Sequence, residues 1–204
     1  MGLLSAAASM TRYRLIGEIE KPFIESVTKA LKNNMIDEID NEASEKAVGW
    51  TSFDTPFKPD FNGSSFSIGP YLIFSMRIDK KTIPPKLITK HVATATARRL
   101  SETGRSYLSR DEKKEIKEHV ISVLNLRLPA VPNVYDVLWN PEAHQICFFS
   151  NLKSANEDFE TLFYRSFKIM PIRLFPYTMA DLGAGLEPAE KDVLNGLSAT
   201  RFCE

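Results

Sequence analysis

Two constellations in this chain have the residue types for work on a phosphodiester backbone. Pro59-Asp60 followed by Asp79-Lys80-Lys81 satisfies the loose P-D…D-x-K spacing of metal-dependent nucleases. There the carboxylates hold Mg²⁺, and the lysine orients a water or stabilises developing charge. Glu115-Ile116-Lys117 repeats the acid-x-Lys unit. The pattern is short and permissive: Asp60 stands among turn residues, and Asp79 can equally pair with a neighbouring lysine at a strand end. The second constellation is basic. Between Arg77 and Arg127 lie thirteen of the 26 Lys and Arg residues against six acids, an excess of seven positive charges in a chain of formal net charge zero. Residues 18–60 hold ten acids and five bases, and residues 128–204 hold ten acids and six bases, so the surroundings offset the basic stretch. Positive potential confined within an acidic body suits a polyanion whose phosphates supply affinity, while the acidic exterior discourages binding elsewhere. The plain alternative is a solvated helical face.

The elements that carry the cations are the best specified in the chain. Pro84 and Pro85 fit the first turn of a helix running to about Thr103, with Gly104 as its stop. It bears Lys86 and Lys90 one turn apart near its start, Arg98 and Arg99 near its end, and the small-residue run Ala93 to Ala97 between them. Arg105 lies in the connection. Ser109 and Glu112 then form the S-x-x-E capping box of a second helix that reaches about Arg127, before Pro129 and Pro132 end it. At 100° per residue, Ile116, Val120, Val123 and Leu124 form the expected buried seam. Arg110, Lys113, Lys114 and Lys117 take the adjoining stripe, while Asp111, Glu112, Glu115 and Glu118 collect beyond it. Charge used only for solubility is usually interspersed by sign at i,i+4, so this segregation favours a functional basic face.

Around these helices the pattern is that of a mixed α+β body. Thr11 to Ile19 is strand-like, Pro22 opens a helix with Phe23, Val27, Ala30 and Leu31 on one face, and a polar, acidic connection runs from Asn33 to Glu45. Ala47 to Phe53 and Tyr71 to Ile78 are strands separated by a loop from Pro56 to Gly69. After Pro132, a strand to Trp139, a turn at Asn140-Pro141 and a strand from His144 to Phe149 form a hairpin. Ser154 can cap a helix carrying Phe159, Leu162, Phe163 and Phe167, and Met170 to Phe175 closes the pattern as a strand. The last stretch has little periodicity. Trp50, Tyr71 and Trp139 could stack on bases, but strand aromatics are more often core, and they are assigned there.

Other chemistry is thin. His91, His119 and His144 lack metal-ligand spacing with either cysteine, and no phosphate loop or nucleophile elbow appears; His91 and His119 are expected on helix surfaces. Cys147 and Cys203 are too few and too differently placed for a disulfide framework, and are expected as reduced thiols. The apolar runs are too short to span a bilayer, and Met1 to Ala6 lacks a basic secretory start and the serine of a myristoylation signal, so a cytoplasmic location is expected.

Gly49-Trp50, the run Tyr71 to Pro84 with its Arg77-x-Asp79-Lys80-Lys81-x-x-Pro84 core, the Gly104 turn, Lys114 to Glu118 and the strand end Trp139-Asn140-Pro141 together resemble the bacterial recombination-associated RdgC family, in order and in spacing, over roughly residues 10–180. The resemblance implies a protein that binds duplex DNA without strong sequence preference, joins head to head as a ring-shaped homodimer around it, and restrains recombinase filaments at the nucleoid. It implies no cofactor. The chain would correspond to the N-terminal two-thirds of the longer family members. Pro129 stands where the family is expected to carry an aromatic residue used in closing the ring, so the expected dimer is open or weakly closed.

The resulting expectations are an α+β fold of mixed or antiparallel sheets with long charged helices, divided as an N-terminal part over 1–76, a basic helical segment over 77–130, a completing part over 131–180 and a poorly ordered or truncated tail over 181–204. The expected DNA contacts are Arg77, Lys80, Lys81, Lys86, Lys90, Arg98, Arg99, Arg105, Arg110, Lys113, Lys114, Lys117 and Arg127. No catalytic residue, metal, cofactor or membrane contact is expected. The competing readings are a nuclease of the P-D…D-x-K type and a protein-interaction module without DNA binding.

Overall fold

The computed structural model describes residues 2–19, 21–63 and 65–198. Cys203, expected as a free thiol, lies outside them. Within them the order is β1 (Thr11–Ile16), α1 (Phe23–Asn33), β2 (Lys46–Thr51), β3 (Ser67–Ile68), β4 (Tyr71–Lys80), α2 (Pro85–Thr103), α3 (Arg110–Arg127), β5 (Val131–Asn140), β6 (Gln145–Phe148), α4 (Lys153–Phe167), β7 (Met170–Arg173), α5 (Pro176–Gly183) and α6 (Pro188–Gly196). The strands form one antiparallel sheet in the order β2-β4-β5-β6-β1-β7, with β3 pairing the start of β4 beside β2. The fold is therefore α+β.

The core follows from the period-two pattern of the strands. On β4, Leu72, Phe74, Met76 and Ile78 are buried, and the register brings Trp139, Val137 and Tyr135 of β5 opposite the first three. The apolar face of α4 covers this layer with Phe159, Leu162, Phe163 and Phe167, and α1 adds Val27 and Leu31. Phe148 and Phe159 stack at 4.5 Å, Trp139 meets Phe163 edge-on at 5.3 Å, and Trp50 meets Phe74 edge-on at 5.1 Å. The Trp50 indole N–H donates to Ser166 Oγ at 2.8 Å, which satisfies its one polar atom. Losing one ring from such a site costs about 3–5 kcal/mol.

The same alternation places Ser75, Arg77 and Asp79 on the opposite face of β4. There they are covered as well. Ser75 donates to Asp136 Oδ1 at 2.9 Å, and Asp136 Oδ2 accepts from the Leu3 N–H at 2.8 Å, pinning the N-terminal segment over the sheet. The Arg77 guanidinium carbon lies 5.6 Å from the ring centroid of Phe57, in the loop between β2 and β3.

Helix α3 has the capping box expected of it: the Ser109 hydroxyl accepts from the Glu112 N–H, and the Glu112 carboxylate accepts from the Ser109 N–H. Gly104 closes α2 in the left-handed region at φ +62°, where a residue without Cβ is least strained.

Several expectations are corrected. Tyr71 is 39% exposed, because it lies at the end of β4 opposite the two-residue β3, where no helix covers it. The loop from Pro56 to Gly69 contains that short strand. Ser154 lies inside the first turn of α4, whose cap position is Leu152 and has no side-chain cap bond; the nearby Ser150 hydroxyl accepts from the Leu152 N–H instead. His91 is half-buried between α2 and α3, while His119 is exposed. The final stretch holds α5 and α6, neither with a buried residue.

Candidate nucleic-acid interface

Helices α2 and α3 run out from β4 and return to β5, and they pack chiefly on each other. None of the described residues of α2 is buried, and α3 buries only Val120, Leu124 and Asn125. Val120 and Leu124 belong to the expected seam, and Ile116 and Val123 beside them are half-buried. This hairpin thus keeps most of its side chains in water.

Its cations divide into three groups. Lys80, Lys86, Lys90, Arg99, Arg110, Lys113, Lys117 and Arg127 are exposed and make no salt bridge among the described residues. Arg98, Arg105 and Lys114 are exposed but paired, with Glu102 at 2.8 Å, Glu112 at 2.8 Å and Glu118 at 3.9 Å. At such exposed sites an ion pair contributes at most about 1 kcal/mol, so the Arg98 and Lys114 side chains can exchange a carboxylate for a phosphate at little cost.

Arg77 and Lys81 form the third group, and they correct the expected set. Arg77 sits on the covered face of β4 and donates through Nε and Nη2 to the two oxygens of Asp79. Lys81 is buried with its ammonium held by the carbonyls of Asp40, Glu42 and Asn125 at 3.1, 2.8 and 2.6 Å. Both cations are committed to the architecture. Lys81 ties the end of α3 to the connection between α1 and β2, so it roots the hairpin.

The nuclease pattern dissolves in the same way. Both Asp79 oxygens are taken by Arg77, and Asp60 serves its own loop, accepting from the Asn62 N–H at 2.8 Å. Glu115 projects from the exposed acidic flank of α3. Among the described residues no group of three or more His, Cys, Asp or Glu side chains is placed to hold a metal ion.

Two features of the hairpin escaped the sequence reading. An open groove of about 240 Å³ between the helices is bordered by His91, Arg98, His119 and Arg127 over an apolar floor including Val120. Antiparallel pairing of two helices of similar length is what brings the ninety-first residue opposite the one-hundred-and-nineteenth, and residue spacing alone does not show it. The other is Tyr107, 78% exposed at the tip. An aromatic residue in a short polar connection between two helices was the available signal.

The tip is well ordered by its own bonds. Glu112 accepts from the Ser109 N–H and from Arg105 Nη2, and these contacts, led by the Ser109 backbone bond, hold its carboxyl below the ordinary value of 4.5. Elsewhere, burial raises the Cys147 thiol, which makes it a poor nucleophile at neutral pH. No described helix is long and apolar enough to cross a membrane.

A comparison with curated proteins found no match. A family model described as "Putative exonuclease, RdgC" matches residues 9–181, which include every strand of the sheet, the whole α2–α3 hairpin and most of α5. With most of its length matched and its sheet, hairpin and charged helices in the order the motifs required, this chain belongs to the RdgC family.

Proposed function

We propose that this chain binds duplex DNA with little sequence preference through the exposed cations of α2 and α3, and that it acts in homologous recombination at the nucleoid by occupying DNA and limiting recombinase filaments. The observation that carries the reading is the stripe Arg110, Lys113, Lys114 and Lys117, solvent-facing on a hairpin with few packing duties, in a chain of a recombination-related family. Phosphate contacts of this kind are independent of sequence and fall with salt by counterion release. A homodimer would present two such hairpins to one duplex and raise apparent affinity by multivalency.

The test is a salt titration of binding to unrelated duplexes. Changing Arg110, Lys113, Lys114 and Lys117 together to Ala should weaken binding equally on all of them and reduce the salt slope by about one counterion per cation removed. Unchanged affinity at low salt would refute the reading. Sedimentation at tens of micromolar should give a mass near twice 23.1 kDa, and a strict monomer would remove the dimer. The family description supplies a second reading, exonuclease action. Progressive shortening of end-labelled duplex in Mg²⁺ would favour it, although Asp79 is engaged by Arg77 and is not free to serve as a ligand.

A further inference from the structure

The tip of the hairpin contains an arrangement that phosphate binding does not use. From Gly104 to Ser109 the chain turns between α2 and α3, and its two large apolar side chains part company: Leu108 is buried at 4% exposure, while Tyr107 is left 78% exposed. A phenol ring directed into water contributes little to packing, so it is free to meet a partner.

Its support is rigid. Gly104 fixes the exit of α2, the Ser109–Glu112 box fixes the entry of α3, Arg105 is tied to Glu112 at 2.8 Å, and Leu108 anchors the loop from below. An aromatic side chain has few rotatable bonds, and on such a support it loses little freedom when it is covered.

The surroundings select the partner's chemistry. Arg98 and Arg99 lie in the last two turns of the first helix, Arg105 lies in the turn, and Arg110, Lys113 and Lys114 lie in the first two turns of the second, all exposed. Together they favour a polyanion over an apolar protein surface. An exposed aromatic side chain on a cation-rich segment is the pairing by which single-stranded nucleic acid is held, with phosphates on the cations and a base on the ring. Inside a continuous duplex every base face is already stacked, so away from the duplex ends such a ring finds a partner only where bases are unpaired.

We infer that Tyr107 stacks on an unpaired base, so that the hairpin tip gives the chain a preference for DNA with gaps, bulges or single-stranded ends over continuous duplex. The inference rests on the DNA-binding reading and adds to it a substrate class and a residue. Tyr107 is a contact for the base; the cations hold the strand.

The test compares wild type, Tyr107→Ala and Tyr107→Trp, as full-length chains, on two DNAs of equal length: a continuous duplex and one with a short gap carrying 2-aminopurine. The exposed ring should be removable without loss of thermal stability. Wild type and Tyr107→Trp should bind the gapped DNA more tightly and change the 2-aminopurine fluorescence. Tyr107→Ala should lose affinity for the gapped DNA by on the order of tenfold, the scale of one base–aromatic stack, keep its affinity for continuous duplex and leave the fluorescence unchanged. Equal losses on both DNAs, or no loss on either, would overturn the assignment of Tyr107 while leaving backbone binding intact. Failure of wild type to bind either DNA would remove the DNA-binding reading, and this inference with it.

Discussion

Arg77 and Asp79 lie two residues apart on one face of β4 and are joined side by side, Nε to Oδ1 at 2.7 Å and Nη2 to Oδ2 at 2.6 Å, with both side chains almost entirely removed from water. A buried pair of this kind is held by its mutual geometry, and removing one partner strands the other charge. Asp79→Ala should therefore destabilise the protein by about 3–5 kcal/mol in denaturant unfolding. The double change Arg77→Met with Asp79→Leu should recover much of that loss. A double variant no more stable than the single would show that the pair is coupled to more than its own partner.

Lys81 makes a second architectural prediction. Lys81→Met leaves the carbonyls of Asp40, Glu42 and Asn125 without this donor. Each unsatisfied buried group costs about 1–3 kcal/mol, so the melting temperature should fall clearly. Amide exchange should accelerate at the end of α3, where Asn125 lies. At temperatures where the variant stays folded, the salt slope of DNA binding should be unchanged, whereas replacing an exposed cation such as Lys117 should lower it by about one.

Gly49 occupies a crossing of two backbones. Ile36 N–H donates to Trp50 O, Trp50 N–H donates to Asn34 O, and a methyl group placed on Gly49 would lie 2.5 Å from the Ile36 nitrogen. Backbone cannot move aside as a flexible side chain can. Gly49→Ala should cost more than the roughly 1–3 kcal/mol typical of overpacking, read as a fall in the denaturation midpoint. A neutral result would mean that the connection after α1 is free to shift.

The tip should be sensitive to acid. Glu112 has a folded pKa below its unfolded value of 4.5, so the order it confers is fully present above that value and is lost as pH falls through the lower folded one. Amide exchange of Ser109 and Glu112, corrected for intrinsic rates, should rise as pH falls below 4.5. In Glu112→Gln this pH dependence should vanish. Persistence of the transition in that variant would assign it to another carboxylate.

Much of this architecture was legible because it is locally encoded. The Ser109–Glu112 box, Pro85 at the start of α2 and Gly104 at its end are signals written within a few residues of where they act, and the apolar seam of α3 follows from its own periodicity. The placement of β1 between β6 and β7 is not of that kind, since it depends on which edges meet after the chain has travelled well over a hundred residues. Arg77 and Lys81 failed for a related reason. A cation on a strand looks the same in sequence whether its face is open or covered, and the cover here comes from the distant loop holding Phe57 and from carbonyls at Asp40, Glu42 and Asn125. The alternation Arg77, Asp79, Lys81 did place the three on one face, and opposite charges at i,i+2 on a strand were a readable hint of pairing. Helices α5 and α6 were missed because each is short and has too little apolar periodicity to stand out.

The hairpin begins after Lys80 and ends before Val131, and these two residues are cross-strand partners. Strands β4 and β5 are thus distant along the chain but adjacent in the sheet, a pairing that ordinarily makes folding slow because a long loop must close first. Two helices of nearly equal length, 19 and 18 residues, that double back on each other return the chain to its starting point. Once they form, the search separating β4 from β5 shrinks to that of a tight turn. The segment proposed to grip DNA would then also set the order of assembly, and weakening its seam at Val120 or Leu124 should slow refolding of the sheet even though both residues lie outside its strands.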